Sequence, residues 1–184
     1  MSDTTTVPAN STAIPIRWGI IIAAISIVLF TACNMFLLNN IVVYFICVIL
    51  CGAVQVILMG VAGAQQRKAI GGFISFKDAF RAIFIATLIF VTINTIYSYI
   101  YMRFIDPDFS VRMKDATLRM VEKYGANQEA MDKASQKADE NIEKGKHFGS
   151  IALSYFWTIV IYSIFGFICA AIVKKNKPEP QTML

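Results

Sequence analysis

Residues 18–66 read WGIIIAAISIVLFTACNMFLLNNIVVYFICVILCGAVQVILMGVAGAQQ and contain no Asp, Glu, Lys, Arg or His. Forty-nine uncharged, mostly apolar residues are too many for one membrane crossing of about 20 residues and suit two. Asn39-Asn40 is the natural break. The first span is expected at 17–38 and the second at 41–64, joined by a tight turn into an antiparallel pair. No Lys/Arg-rich segment with a short apolar core and a small-residue cleavage site marks the first span as a signal peptide. Phe30-Thr31-Ala32-Cys33 imperfectly resembles a lipoprotein processing site, but the apolar run continues through Met35 to Leu38, so an uncleaved span without lipid on Cys33 is expected.

Two further runs repeat the pattern. Ala82 to Met102 is uncharged, and with its entry the third span is expected at 76–102. Ser75 stands where it can cap this helix, and Asp78 three residues on can reach back to it. Tyr97, Tyr99 and Tyr101 cluster at its end, as aromatics at a membrane interface do. Residues 148–173 are again uncharged and form the fourth span, stopped by Lys174, Lys175 and Lys177.

Between the third and fourth spans lies an island, residues 103–147, holding nine Lys/Arg and nine Asp/Glu. Asp106-Pro107-Asp108 opens a helix there, with Pro107 at its first position. Phe109, Met113, Ala116, Met120 and Tyr124 fall on one face at helical spacing. Gly125 ends it, Asn127 caps a second helix with the thin stripe Met131, Ala134, Ala138 and Ile142, and Gly145 closes that. The fold class expected is therefore all-α integral membrane, with four transmembrane helices and an extramembrane helical hairpin between the third and fourth. A polar tail at 1–16 is expected to be disordered, and a basic tail follows at 174–184. The hairpin's stripes are too thin for independent stability, so it must lean on itself, the bundle, the bilayer or a partner.

Composition agrees. The chain is 57% hydrophobic and 16% charged, with a mean hydropathy of +0.59, against about 25% charged residues in soluble domains. The formal charge of +5 comes not from the balanced island but from Arg17, Arg67, Lys68, Lys77, Arg81, Lys174, Lys175 and Lys177, each beside an apolar run, set against Asp3, Asp78 and Glu179. That placement suits lipid headgroups and topology anchoring. It excludes a nucleic-acid role, for which no basic face with stacking aromatics is present. Short-loop cations put both termini in the cytoplasm and the hairpin periplasmic or extracellular, although the hairpin's own nine Lys/Arg pull the other way.

Candidate helix-packing residues are the small pairs Gly60/Ala64 and Gly166/Ala170, four apart, and the intramembrane amides Asn34, Gln55 and Asn94. Thr87, Thr92 and Thr95 add hydroxyls. Cys33, Cys47, Cys51 and Cys169 sit in apolar runs and read as packing residues, with no cofactor or metal expected. The lone His147 has no serine, cysteine or acidic pair at a useful spacing, so no enzyme is expected.

The stretch Gly71-Gly72-Phe73-Ile74-Ser75-Phe76-Lys77-Asp78-Ala79-Phe80 and the segment Asp106-Pro107-Asp108-Phe109 resemble a bacterial membrane family known as domain of unknown function forty-one ninety-nine. The Lys/Glu-rich amphipathic segment and the Lys-terminated last span follow in the same order, so the resemblance covers about residues 17 to 177. It implies a bacterial inner-membrane protein and brings no activity to carry over. The first tail looks longer than the family pattern requires, and processing at Cys33 would not fit it. The function expected is a non-enzymatic accessory, scaffold or oligomeric component acting on a protein partner or second copy through residues 103–147. The alternative is a small transporter or channel subunit.

Overall fold

The structure is a computed structural model of the whole chain and describes residues 12–38, 40–125, 127–145 and 147–176. These residues form six α-helices and no β-strand: α1 (Ala13–Phe36), α2 (Ile41–Ala69), α3 (Phe76–Ile100), α4 (Phe109–Lys123), α5 (Gln128–Lys144) and α6 (Phe148–Val173), with a π-helical turn at Tyr101–Ile105. Four of the helical segments are long and apolar enough to cross a bilayer, the third being Phe76–Ile105. Large apolar side chains stand outward along them, among them Phe36, Ile49 and Ile172 at 73%, 71% and 75% exposure. Water would make such surfaces aggregate, and lipid makes them the favourable side.

The helix ends correct several expected boundaries. Residues 13–16 belong to α1 rather than to the polar tail. Pro15 lies in the first turn, where its missing N–H costs no helical hydrogen bond. The second span does not stop at Ala64, because Gln65, Gln66, Arg67 and Lys68 continue α2 to Ala69. All four are good helix formers, and what ends the helix is backbone geometry rather than polarity. Gly71 and Gly72 have φ of +95° and +88°. The Gly72 N–H donates to the Arg67 carbonyl at 2.9 Å and the Gly71 N–H to that of Lys68 at 3.3 Å. This is the double closure that left-handed glycines permit at a helix terminus.

The chain divides into two compact units. In the first (Met1–Ala23, Val54–Val91, Ile159–Leu184), the small face of α3 is the packing surface, with Ala79, Ala82 and Ala86 fully or nearly covered. A Cβ on Gly19 would stand 2.8 Å from the Ile89 Cβ and 2.9 Å from the Ala86 carbonyl oxygen, so α1 touches α3 backbone to backbone there. At Gly63 of α2 the close neighbour is a side chain, Ile83 Cδ1 lying 2.9 Å from the would-be Cβ. Tyr162 of α6 donates to the Gln55 side-chain oxygen of α2 and packs edge-on against Phe90. The segment before α3 pairs with the chain after α6, Ile74 and Lys175 exchanging backbone hydrogen bonds of 2.9 and 3.1 Å.

In the second unit (Ala24–Ala53, Thr92–Thr158), tyrosine hydroxyls tie the helices. Tyr44 donates to the Asn34 side-chain oxygen at 3.0 Å, Tyr97 and Thr31 lie 2.7 Å apart, and Tyr155 and Thr92 2.9 Å. Tyr97 and Tyr101 therefore turn inward, Tyr101 with 2% exposure, while Tyr99 alone of that trio is exposed. Tyr99, on the opposite side of the helix from the other two, is the one that stands outward. Beyond α3, the π-helical turn closes with Asp106 N–H donating to the Tyr101 carbonyl at 2.8 Å.

Candidate functional site

The residues singled out from the sequence gather in two places, a cationic rim in the first unit and the α4–α5 segment in the second.

The rim is made where α2 ends, α3 begins and α6 ends. Arg67, half-buried, donates from its guanidinium to the Val173 carbonyl at 2.9 Å, satisfying an acceptor that the end of α6 leaves open. Lys175 lies with Nζ 5.5 Å from the centre of the Phe73 ring. Lys68, Lys77, Arg81 and Lys174 are exposed, as is Arg17 on α1, and Lys177 lies outside the described residues. At the start of α3 the Asp78 N–H donates to the Ser75 Oγ at 3.2 Å, and that hydroxyl donates to the Asp78 carboxylate at 2.6 Å. Ser75 thus accepts a first-turn N–H. Lys77, Asp78, Phe80, Arg81 and Phe84 line a groove of about 460 Å³ along this end of α3. Phe76, Phe80 and Phe84 stack in a row, and Phe167 of α6 packs on Phe80 at 4.2 Å between ring centres.

The small-residue packing candidates Gly60, Ala64, Gly166 and Ala170 and the amide Gln55 fall inside the first unit, and Asn34 and Asn94 in the second. Gly166 is buried, and a Cβ there would meet Ile83 at 3.3 Å, with Met59 and Phe80 at 3.8 Å. Ala170 is fully covered, Ala64 is half-buried, and Gly60 faces the Cys169 sulfur, which would lie 3.8 Å from an added Cβ. The closest helix contacts, at Gly19 and Gly63, were not among the expected pairs. Gly19 and the buried Ala23 are four apart, so the signal was available in the sequence. Asn94 is half-buried, and Thr87 donates to the Ile83 carbonyl within its own helix.

In the second unit, α4 lays Phe109, Met113, Ala116 and Met120 against Cys33, Leu38, Ile41 and Tyr44 of α1, α2 and their junction. Phe109 also packs on Tyr101 and Phe30. Tyr124 departs from the expected stripe and is exposed, because α4 ends at Lys123 and Gly125, at φ +76°, turns the chain away. Pro107 is not the first helical residue. Asp106 is held by Tyr101 and by an ion pair with Arg112, which leaves residues 107 and 108 as a turn ahead of Phe109. Asn127 accepts from the Ala130 N–H at 2.9 Å and caps α5. The two helices pack on each other, and Lys114 reaches both carboxylate oxygens of Asp139 at 2.7 Å. No residue of α5 is buried, and its stripe Met131, Ala134, Ala138 and Ile142 is half-covered.

The cysteines are free thiols. Cys33 and Cys51 lie 4.0 Å apart between α1 and α2, with Cys47 beside them in the same cluster. Among the described residues no three His, Cys, Asp or Glu side chains are arranged to hold a metal ion. His147 is exposed in the link from α5 to α6.

Four bilayer-length apolar helices, outward apolar faces and polar groups tied helix to helix define a multi-pass helical membrane protein. Residues 17–175 match the family described as "Protein of unknown function (DUF4199)", and the chain belongs to that family. No curated protein and no solved structure matches it.

Proposed function

We propose that this protein sits in the bacterial inner membrane with both termini cytoplasmic, and that α4 and α5 form a helical hairpin on the extracytoplasmic side. Its role is that of a non-enzymatic accessory or scaffold component whose partner, another protein or a second copy of this chain, docks on α5.

The observation that carries this reading is the unequal covering of the two helices. The apolar stripe of α4 is already seated on α1 and α2, whereas α5 has no buried residue and a charged outer side. A helix held out on a seated neighbour is a presenting surface, and its polar outer side suits a reversible contact with a polar rim. The orientation rests on Arg67, Lys68, Lys77, Arg81, Lys174 and Lys175, which stand at short membrane-edge segments of the first unit. Asn34 and Gln55, on which a transport reading would draw, accept hydrogen bonds from Tyr44 and Tyr162 of neighbouring helices. That use favours packing over a solute path.

The test is purification of the full chain in nanodiscs from its native host, with co-purifying proteins identified by mass spectrometry. A stoichiometric protein, or a second copy, is expected to be retained and to be lost with the outward-charge variant Asp132→Lys/Glu140→Lys. Recovery of a lone monomer, or a partner indifferent to that variant, would overturn the docking role.

A further inference from the structure

We infer that Cys33 of α1 and Cys51 of α2 are a site of thiol oxidation, joined into a disulfide by exchange with a small apolar disulfide and so stapling the two helices beneath α4. This goes beyond the proposed docking role and does not depend on it.

The four thiols do not stand alike. Cys169, in the first unit, donates to the Val56 carbonyl at 3.6 Å. Cys33 and Cys51 are 18 residues apart in sequence, and their sulfurs meet at 4.0 Å across the contact between α1 and α2. A disulfide needs about 2.05 Å between sulfurs. Side-chain rotation and a small approach of two helices already in contact close that gap. Cys47 lies one turn before Cys51 on the same helix and packs on the same cluster, which makes it the competitor for Cys33.

Cover sets the order of attack. Cys33 is 7% exposed, whereas Cys51 is half-covered, so the entering disulfide meets Cys51 first. Cys51, as its thiolate, attacks one sulfur of that disulfide, forming a mixed disulfide and releasing one small thiol. Cys33 then attacks the Cys51 sulfur, expels the second small thiol and leaves the Cys33–Cys51 bond. The two protein protons end on the two departing thiols, and the two electrons the protein gives up reduce the small disulfide. Burial keeps Cys33 from the reagent but not from Cys51. Cys33 stands three residues before the end of α1, in the cluster that seats Phe109, Met113, Ala116 and Met120 of α4. The bond therefore ties α1 to α2 at the surface that holds α4.

The test uses the full-length protein, reduced, in neutral detergent, and treats it with one equivalent of dithiodipyridine. Released thiopyridine, intact mass, peptide mapping without reduction and amide exchange are the readouts. The expected product has lost two hydrogens, carries a Cys33–Cys51 bond within one chain and keeps Cys47 and Cys169 open to alkylation. Amide exchange across α1 and α2 should slow by about tenfold or more, since the bond constrains the opened chain, and a phosphine reductant should restore the original rates. Cys33→Ala should stop at a mixed disulfide on Cys51, and Cys51→Ala should leave Cys33 unbridged. Cys47→Ala and Cys169→Ala should form the bond as the wild type does. The wild-type peptide map decides the pairing even where a variant fails to fold. No intramolecular bond, a bond mapped to Cys47 or between two chains, or bridging of Cys33 that survives Cys51→Ala would each overturn the pair, and exchange unchanged by the bond would overturn the staple.

Discussion

Replacing Gly19 by alanine puts a methyl group where α1 and α3 already touch. The new Cβ would stand 2.8 Å from the Ile89 Cβ, 3.0 Å from its Cγ2 and 2.9 Å from the Ala86 carbonyl oxygen. Carbon atoms prefer about 3.5–4.0 Å, so the shortfall is roughly 0.7 Å or more. None of the obstructing atoms is the far end of a flexible side chain. A Cβ and a helical carbonyl move only with their backbone, so α1 must back away from α3 and loosen the contacts around Ile22 and Ala23. Overpacking of this kind costs about 1–3 kcal/mol. Alanine returns about 0.5–1 kcal/mol through the helix's lower conformational cost. The net expectation is a loss of about 1.5 kcal/mol. Gly52→Ala is the control, because nothing lies within 4 Å of its added Cβ, and it should be neutral or stabilising by up to about 1 kcal/mol. Denaturant unfolding in detergent, followed by exposure of the buried Cys33 and Cys169 thiols, reads both. Gly19→Ala matching or exceeding Gly52→Ala in stability would refute the close α1–α3 contact.

Gly166→Ile should destabilise the protein by about 2–3 kcal/mol without changing its oligomeric size, since Ile83, Met59 and Phe80 already surround that position; a change in size at wild-type stability would place Gly166 at an interface instead. Tyr162→Phe, which removes the donor to Gln55, should cost about 0.5–1.5 kcal/mol in the same unfolding assay, and Tyr99→Phe on the exposed side nothing measurable. Phe109→Ala should cost about 3 kcal/mol and release α4, seen as faster amide exchange across residues 109–123; unchanged exchange would show that α4 is held by something other than Phe30 and Tyr101. Arg67→Ala should cost about 1 kcal/mol and speed exchange at the end of α6, whose Val173 carbonyl loses its donor.

What was legible in the sequence follows the physics of each feature. The four spans could be read because insertion into lipid depends on apolar length, which composition reports directly. The Ser75 cap and the ends at Gly125 and Asn127 could be read because capping is local, settled within four residues. Boundaries set by polarity were misplaced. Gln65 to Lys68 are polar yet helical, and the end of α2 belongs to the left-handed pair Gly71-Gly72. The inward turn of Tyr97 and Tyr101 could have been found from their spacing of four, but clustering with Tyr99 suggested an interface belt. The seat of α4 on Cys33, Leu38, Ile41 and Tyr44 is a contact between segments some seventy residues apart in sequence. Nothing in the pattern of either segment names the other. The placing of Arg67 on the Val173 carbonyl depends on the same kind of long-range contact.

The arrangement in the membrane is tested most directly by labelling introduced cysteines with an impermeant maleimide. Gln136→Cys on the exposed side of α5 and Lys68→Cys at the end of α2 are suitable positions, in a chain whose four native thiols are replaced by alanine. The account predicts that Gln136→Cys is labelled from outside intact spheroplasts and Lys68→Cys only after permeabilisation. Labelling of Lys68→Cys from outside, with Gln136→Cys protected, would contradict it and invert the topology.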